Sequence, residues 1–149
     1  MLDRFVPPQA KDIALLIARV GVGVVMLAHG IQKLGGGIGG TAKGFTMMGV
    51  PAPTLSALYA TVVEVAGGAL LIIGALVPLV GVLMFLDMAG AFLFVHMSHG
   101  LFAEKGGFEL VLALGVASLL LAATGSGKYG VDALFARRSK AAETVPAAG

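Results

Sequence analysis

The chain has no cysteine and no tryptophan. The first absence excludes disulfide exchange, thiolate metal sites and iron–sulfur ligation. Charge is scarce as well: Asp, Glu, Lys and Arg make up 12% of the 149 residues, about half the usual share of roughly 25%. The net charge of +2 is too small to argue for nucleic acid, and the basic residues gather near the chain ends rather than in a patch. What fills the space is apolar: 58% of the residues are hydrophobic and the mean hydropathy is +0.98. The apolar runs recur at the length of a bilayer crossing, about 20 residues at about 1.5 Å each. A soluble helical protein of this size could not hide so much apolar surface.

Four such runs divide the chain into one domain. They cover about residues 13–34, 55–76, 79–98 and 109–124. The spacing predicts an all-α fold, an antiparallel four-helix transmembrane bundle. Residues 1–12, with Pro7 and Pro8, read as an interfacial entry segment, with Asp12 as a cap for the first helix. The first run is too long for a signal peptide, and no A-x-A cleavage site follows it. Residues 35–54 (GGGIGGTAKGFTMMGVPAPT) read as a flexible loop, with Pro51 and Pro53 against any helical continuation. The glycine run lacks the Gly-Lys-Ser/Thr ending of a phosphate-binding loop, and GSGK at 125–128 fails the same motif. Pro78 marks a tight turn between the second and third spans. Residues 125–149 form a polar tail in which Val131–Ala136 reads as a short interfacial helix and the last residues read as disordered. Arg4, Lys11, Lys128, Arg137, Arg138 and Lys140 lie on the side of the termini, against Lys33, Lys43 and Lys105 on the other side. That bias places both termini in the cytoplasm.

Charges inside the spans are the exceptions that call for partners. Arg19 lies in the first run, Glu64 in the second and Asp87 in the third. An arginine in hydrocarbon costs at least about 3 kcal/mol unless paired or hydrated. At about 100° per residue, each of these charges shares a helix face with small residues, which lets neighbouring helices approach. Rise alone places Arg19, Asp87 and Glu64 about 9, 12 and 16 Å from one boundary. The expectation is a mid-depth knot in which Arg19 pairs with Glu64, with Asp87 as second candidate. Such a knot can be purely architectural, or its surplus carboxyl can do chemistry. His29, His96, His99 and Glu109 fall near the opposite boundary, with Lys33 at the helix end beside them. They read as a polar mouth between the first, third and fourth helices and as candidate ligand-binding residues. His96 and His99 stand three apart without an acidic partner motif, so no metal is expected. On an ideal helix His96 points away from Asp87, and a bend would change this.

The segments LLIARVGVGVVMLAHGIQKL, GFTMMGVPAP, VVEVAGGALLIIGALVPLVG, FVHMSHGLF, GGFELVLAL and GSGKYGVDAL follow one another in an order that resembles the DoxX family of small four-helix bacterial membrane proteins. The resemblance runs over about residues 13–135. Its most specific pieces are Arg…His-Gly-x-x-Lys-Leu in the first helix, Glu-x-x-Gly-Gly in the second and the Gly-x-Gly…Asp-Ala-Leu ending. It implies Arg19, His29, Lys33 and Glu64 as shared positions; Asp87 rests on the depth argument alone. The family's namesakes are associated with a thiosulfate:quinone oxidoreductase, and other members with oxidative-stress systems. The resemblance thus implies an inner-membrane subunit of a redox system. Lacking cysteine, it would need a bound quinone or a soluble partner subunit to move electrons. His29 or Arg19 would hydrogen-bond a quinone carbonyl, Glu64 or Asp87 would relay protons, and Phe85, Phe92, Phe94 and Phe102 would supply apolar walls. Two other readings stand beside it: a scaffold that anchors soluble enzymes through its basic tail, and, more weakly, a small-solute transporter, against which stands the lack of an inverted repeat. A homo-oligomer is compatible with either.

Overall fold

The computed structural model describes residues 7–143. The first half of the proposed entry segment and the end of the tail lie outside them. Five helices account for most of the described chain, and no strand occurs among the described residues. Helix α1 (Pro8–Met47) is 40 residues long. It starts with proline in its first turn, where the missing N–H costs nothing. The glycine run expected to be a loop is helical instead. Only Gly37 leaves the helical region, with φ 74° and ψ 154°, and it kinks the helix. Asp12 is inside this helix and caps nothing in it; its Oδ1 accepts the Lys128 N–H at 3.0 Å.

Helix α2 (Pro53–Ile73) and helix α3 (Val77–His99) are both of spanning length. Each contains one π-helical turn, Val63–Gly67 in α2 and Phe92–His96 in α3. Gly74, at φ 74°, ends α2 by donating to the Leu70 carbonyl, and Ala75 donates to the same oxygen. Pro78 then sits in the first turn of α3. Helix α4 (Glu109–Thr124) is apolar and shorter, and α5 (Val131–Glu143) extends beyond the short segment expected in the tail.

The helices run antiparallel in sequence order. Glycine sets the two closest contacts. A Cβ on Gly68 would come within 2.7 Å of the Leu27 nitrogen, and one on Gly81 within 2.6 Å of the Ser118 carbonyl oxygen. These place α1 against α2 and α3 against α4 at backbone contact, as small residues do where packing rather than water drives association. Met26, Val63, Leu71, Val80, Met84, Met88, Val111 and Leu121 fill the shared interior. The outward faces are equally apolar. Ile17 is 67% exposed, Val116 58% and Leu120 60%. A surface of that kind is suited to lipid rather than water.

Candidate ligand-binding site

The expected single knot is two separate sites. Arg19 is 2% exposed and pairs with neither carboxylate. Its Nη1 donates to the carbonyls of Leu71 at 3.0 Å and Ile72 at 2.6 Å, and its Nη2 to the carbonyl of Tyr129 at 2.8 Å. Leu71 and Ile72 lie in the last turn of α2, whose carbonyls have no partners within the helix and carry the negative end of its dipole. Asp132 completes the same corner. Its two carboxylate oxygens accept the N–H groups of Leu76 at 2.8 Å and Val77 at 3.0 Å, the orphan donors that start α3. The Asp132 carboxylate also lies within electrostatic reach of the Arg19 guanidinium. The α2–α3 turn is thus clamped by a cation from α1 and an anion from α5. This explains the Gly-x-Gly…Asp segment, whose structural job sequence reasoning missed.

Helix geometry accounts for the failed pairing. Side chains on a helix lean toward its N-terminus. Arg19 therefore reaches toward the terminal end of the bundle, away from Glu64. Glu64, on the antiparallel α2, leans the other way, toward the loop end. Lys33 leans back from the loop end to meet it. Its Nζ donates to both Glu64 oxygens, at 2.8 and 2.6 Å. The Glu64 side chain is 4% exposed and that of Lys33 22%.

Asp87 and Glu64 lie on the wall of the same cavity. Asp87 Oδ2 is buried without a partner. One ammonium and two carboxyls thus share a low-dielectric site, and neutrality requires one proton more. The π-helical turn at Phe92–His96 shifts the face presented by the end of α3. It brings His96 to the same cavity wall as Asp87, against the ideal-helix expectation. His96 Nδ1 donates to the Gly106 carbonyl at 2.7 Å, which leaves Nε2 as the acceptor.

Two cavities flank this cluster. The first, about 290 Å³, is walled by Phe45, Tyr59, Phe94 and Leu86, with Lys33, Glu64, Asp87 and His96 at its polar side. The second, about 280 Å³, is lined by Met26, His29, Leu110, Val111 and the loop residues Gly106 and Gly107, and again by Lys33, Glu64 and His96. The polar mouth is therefore half assembled. His29 and His96 share the second cavity between α1, α3 and α4, whereas His99 and Glu109 line neither cavity. His99 donates to the Val95 carbonyl at 3.0 Å on an exposed surface, and Glu109 accepts the Ala103 N–H at 2.8 Å, closing the loop before α4. Among the four phenylalanines expected as walls, Phe94 lines the first cavity. Phe92 instead packs edge-on against Phe108, with ring centroids 5.0 Å apart. Phe45 and Tyr59 were missed. Phe45 lies in the stretch read as loop, and Tyr59 carried no charge to draw attention; its hydroxyl donates to the Leu83 carbonyl at 2.7 Å.

Similarity to other proteins agrees with this architecture. The DoxX family model matches residues 14–97, the segment that holds the whole Lys33–Glu64–Asp87–His96 cluster. The chain belongs to the DoxX family. It is 29% identical to the inner membrane protein YphA of Escherichia coli K12 over 128 residues, 83% of this chain and 91% of that one. It is 32% identical over 121 residues to a Bacillus subtilis protein named "Putative oxidoreductase CatD", 81% of this chain and 86% of that one. It is 31% identical to the membrane protein Rv3486 of Mycobacterium tuberculosis, across 91% of this chain and 86% of that one. No solved structure matches the chain. With three helices long and apolar enough to cross a membrane and a fourth, shorter apolar one, it is an integral membrane protein.

Proposed function

We propose that the protein is the membrane subunit of a redox system and that its first cavity binds a quinone-like lipophilic ring. One observation carries the reading: a cavity with aromatic and aliphatic walls opens directly onto a buried cluster of Lys33, Glu64 and Asp87. Its volume of about 290 Å³ is at the small end of the range for small-molecule sites, about 300–1,000 Å³, which are mostly apolar with a few convergent polar groups. Lys33 has a third N–H beyond the two directed at Glu64, suited to a ring carbonyl. Asp87 can exchange a proton with a ring hydroxyl. The oxidoreductase in the name of the Bacillus relative supports the redox class. With no cysteine to carry electrons as a thiol, this reading has a soluble partner subunit deliver electrons to the bound ring. The basic residues near the chain ends support a topology with both termini on the cytoplasmic face of the inner membrane.

The competing reading is a scaffold for soluble enzymes. It is favoured by α5, which exposes Leu134 and Phe135 together with Arg137 and Arg138. Mass spectrometry of the lipid extracted from purified protein separates the two. The ligand reading expects quinone at about one per chain, lost in Lys33→Met, a stoichiometry typical of a single site. Phospholipid alone, unchanged by the substitution, would leave the scaffold.

A further inference from the structure

The two cavities meet at the same residues. Lys33, Glu64, Ala91 and His96 line both. The first is the proposed ligand cavity, with Asp87 on its wall. The second carries His29 and reaches the glycines of the loop before α4. The charged and titratable groups facing Asp87 are Lys33 from α1, Glu64 and Tyr59 from α2, and His96 from its own helix; the α4 residues that line the second cavity are apolar. Both Glu64 oxygens are occupied by the Lys33 ammonium, and Asp87 Oδ2 has no donor at all. A bare carboxylate in that position would be a buried charge with nothing to neutralise it.

We infer that the pair of cavities is a proton path: Asp87 holds a proton at the ligand cavity, and His96 replenishes it from water entering at the loop end through the second cavity. The parts fit the task. The Gly106 carbonyl holds His96 Nδ1 as the N–H nitrogen, so Nε2 is the basic one. Nε2 takes a proton from the loop side and returns the same proton toward the carboxyl pair, ending as it began. The pair loses a proton to the ligand and regains one from the imidazolium, so charge and atoms balance over the cycle. The second cavity, about 280 Å³, is walled mostly by apolar side chains, but His29, Lys33, Glu64 and His96 line it together and supply the polar partners that a water bridging the remaining gaps requires. π-Helical turns often occur at functional sites. Here one holds Glu64 and the other ends at His96. The path rests on the ligand reading only for the final acceptor of the proton; the exchange with water is independent of it.

Infrared spectroscopy of the full chain in detergent, transferred from H2O to D2O, tests the path without any ligand. The expected result is a protonated-carboxyl C=O band at neutral pH, absent in Asp87→Asn and shifted in frequency in Asp87→Glu. Its hydrogen–deuterium exchange should slow about 100-fold in His96→Gln, the scale of a lost acid–base group, and stay unchanged in His99→Gln. Gln retains an amide N–H for the Gly106 carbonyl but has no basic nitrogen, and His96→Asn serves if that variant fails to fold. No such band, a band that survives Asp87→Asn, or equal exchange rates with and without His96 would overturn the path. Adding a short-chain benzoquinone then tests the other reading separately: it perturbs the band if the first cavity takes the ring, and leaves band and exchange untouched if only the ligand assignment is wrong.

Discussion

At the terminal end of the bundle Arg19 donates to three backbone carbonyls; at the loop end Lys33 donates to a carboxylate side chain. Both are cations on the same helix, packed against the same neighbour. Arg19 joins the last turn of α2 to the segment before α5, and Asp132 closes the corner. Neither cavity reaches it. Lys33 and Glu64 sit between two cavities, beside a carboxyl that lacks a partner. A charge tied to main-chain atoms fixes where helices end. A charge tied to side chains beside open space can change protonation and meet a ligand. The contrast separates architecture from chemistry in a way that burial does not, since Arg19 is more deeply buried than Lys33.

The largest expected effect breaks the terminal corner. Arg19→Ala removes three hydrogen bonds from a charged donor and strips three main-chain carbonyls of that donor, and should destabilise the fold by about 3–5 kcal/mol, given about 1.5–3 kcal/mol for a hydrogen bond to a charged group. Titration with SDS from mild detergent, followed by helix content, reads this out. Arg19→Lys should rescue little, because one ammonium cannot match the forked donor set. Next comes the loop-end pair. Lys33→Met should cost about 2–4 kcal/mol, below the fully buried case because Lys33 is partly exposed. The double variant Lys33→Met/Glu64→Gln should be milder than the sum of its singles by at least about 1 kcal/mol, whereas Arg19→Ala with Glu64→Gln should add within about 0.5 kcal/mol. Coupling between Arg19 and Glu64 instead would collapse the distinction between the two ends. A smaller change sharpens the corner. Asp132→Asn keeps one acceptor for the start of α3 and should cost about 1 kcal/mol, as a weakened helix cap does. The smallest effect is Glu109→Gln, expected within about 0.5 kcal/mol in the same titration and with unchanged lipid content, because an exposed amide oxygen can still accept the Ala103 N–H.

Apolar length revealed the all-helical class and its membrane-spanning helices. The first helix was cut short because its glycines carry a helix penalty of up to about 1 kcal/mol each in water. The helix nevertheless runs on to Met47, with Gly37 alone outside the helical region. Of the candidate residues, Lys33, Glu64, Asp87, His29 and His96 border the cavities, whereas Arg19, His99 and Glu109 do not. Their pairing was not legible in the sequence. Depth counted from rise ignores the lean of side chains, which turned Arg19 toward the terminal end and Lys33 toward Glu64. The meeting of His96 with Asp87 on one cavity wall depends on a single π-helical turn, a feature for which one sequence gives no periodic signal.

Helix α4 spans 16 residues, about 24 Å of rise, against a hydrocarbon layer of about 30 Å. The shortfall has to be met by lipid as well as protein. Bilayers thin around a short segment at a modest cost per ångström, so the leaflet should dip where α4 begins. There the chain from Gly100 to Phe108 forms no α-helix, only a 3-10 turn at Ala103–Lys105, and Gly106 and Gly107 line the second cavity. Non-helical backbone at that depth is tolerated where it borders protein or water. A local dimple in the membrane would bring the aqueous phase down to His96 without any pore through the bundle.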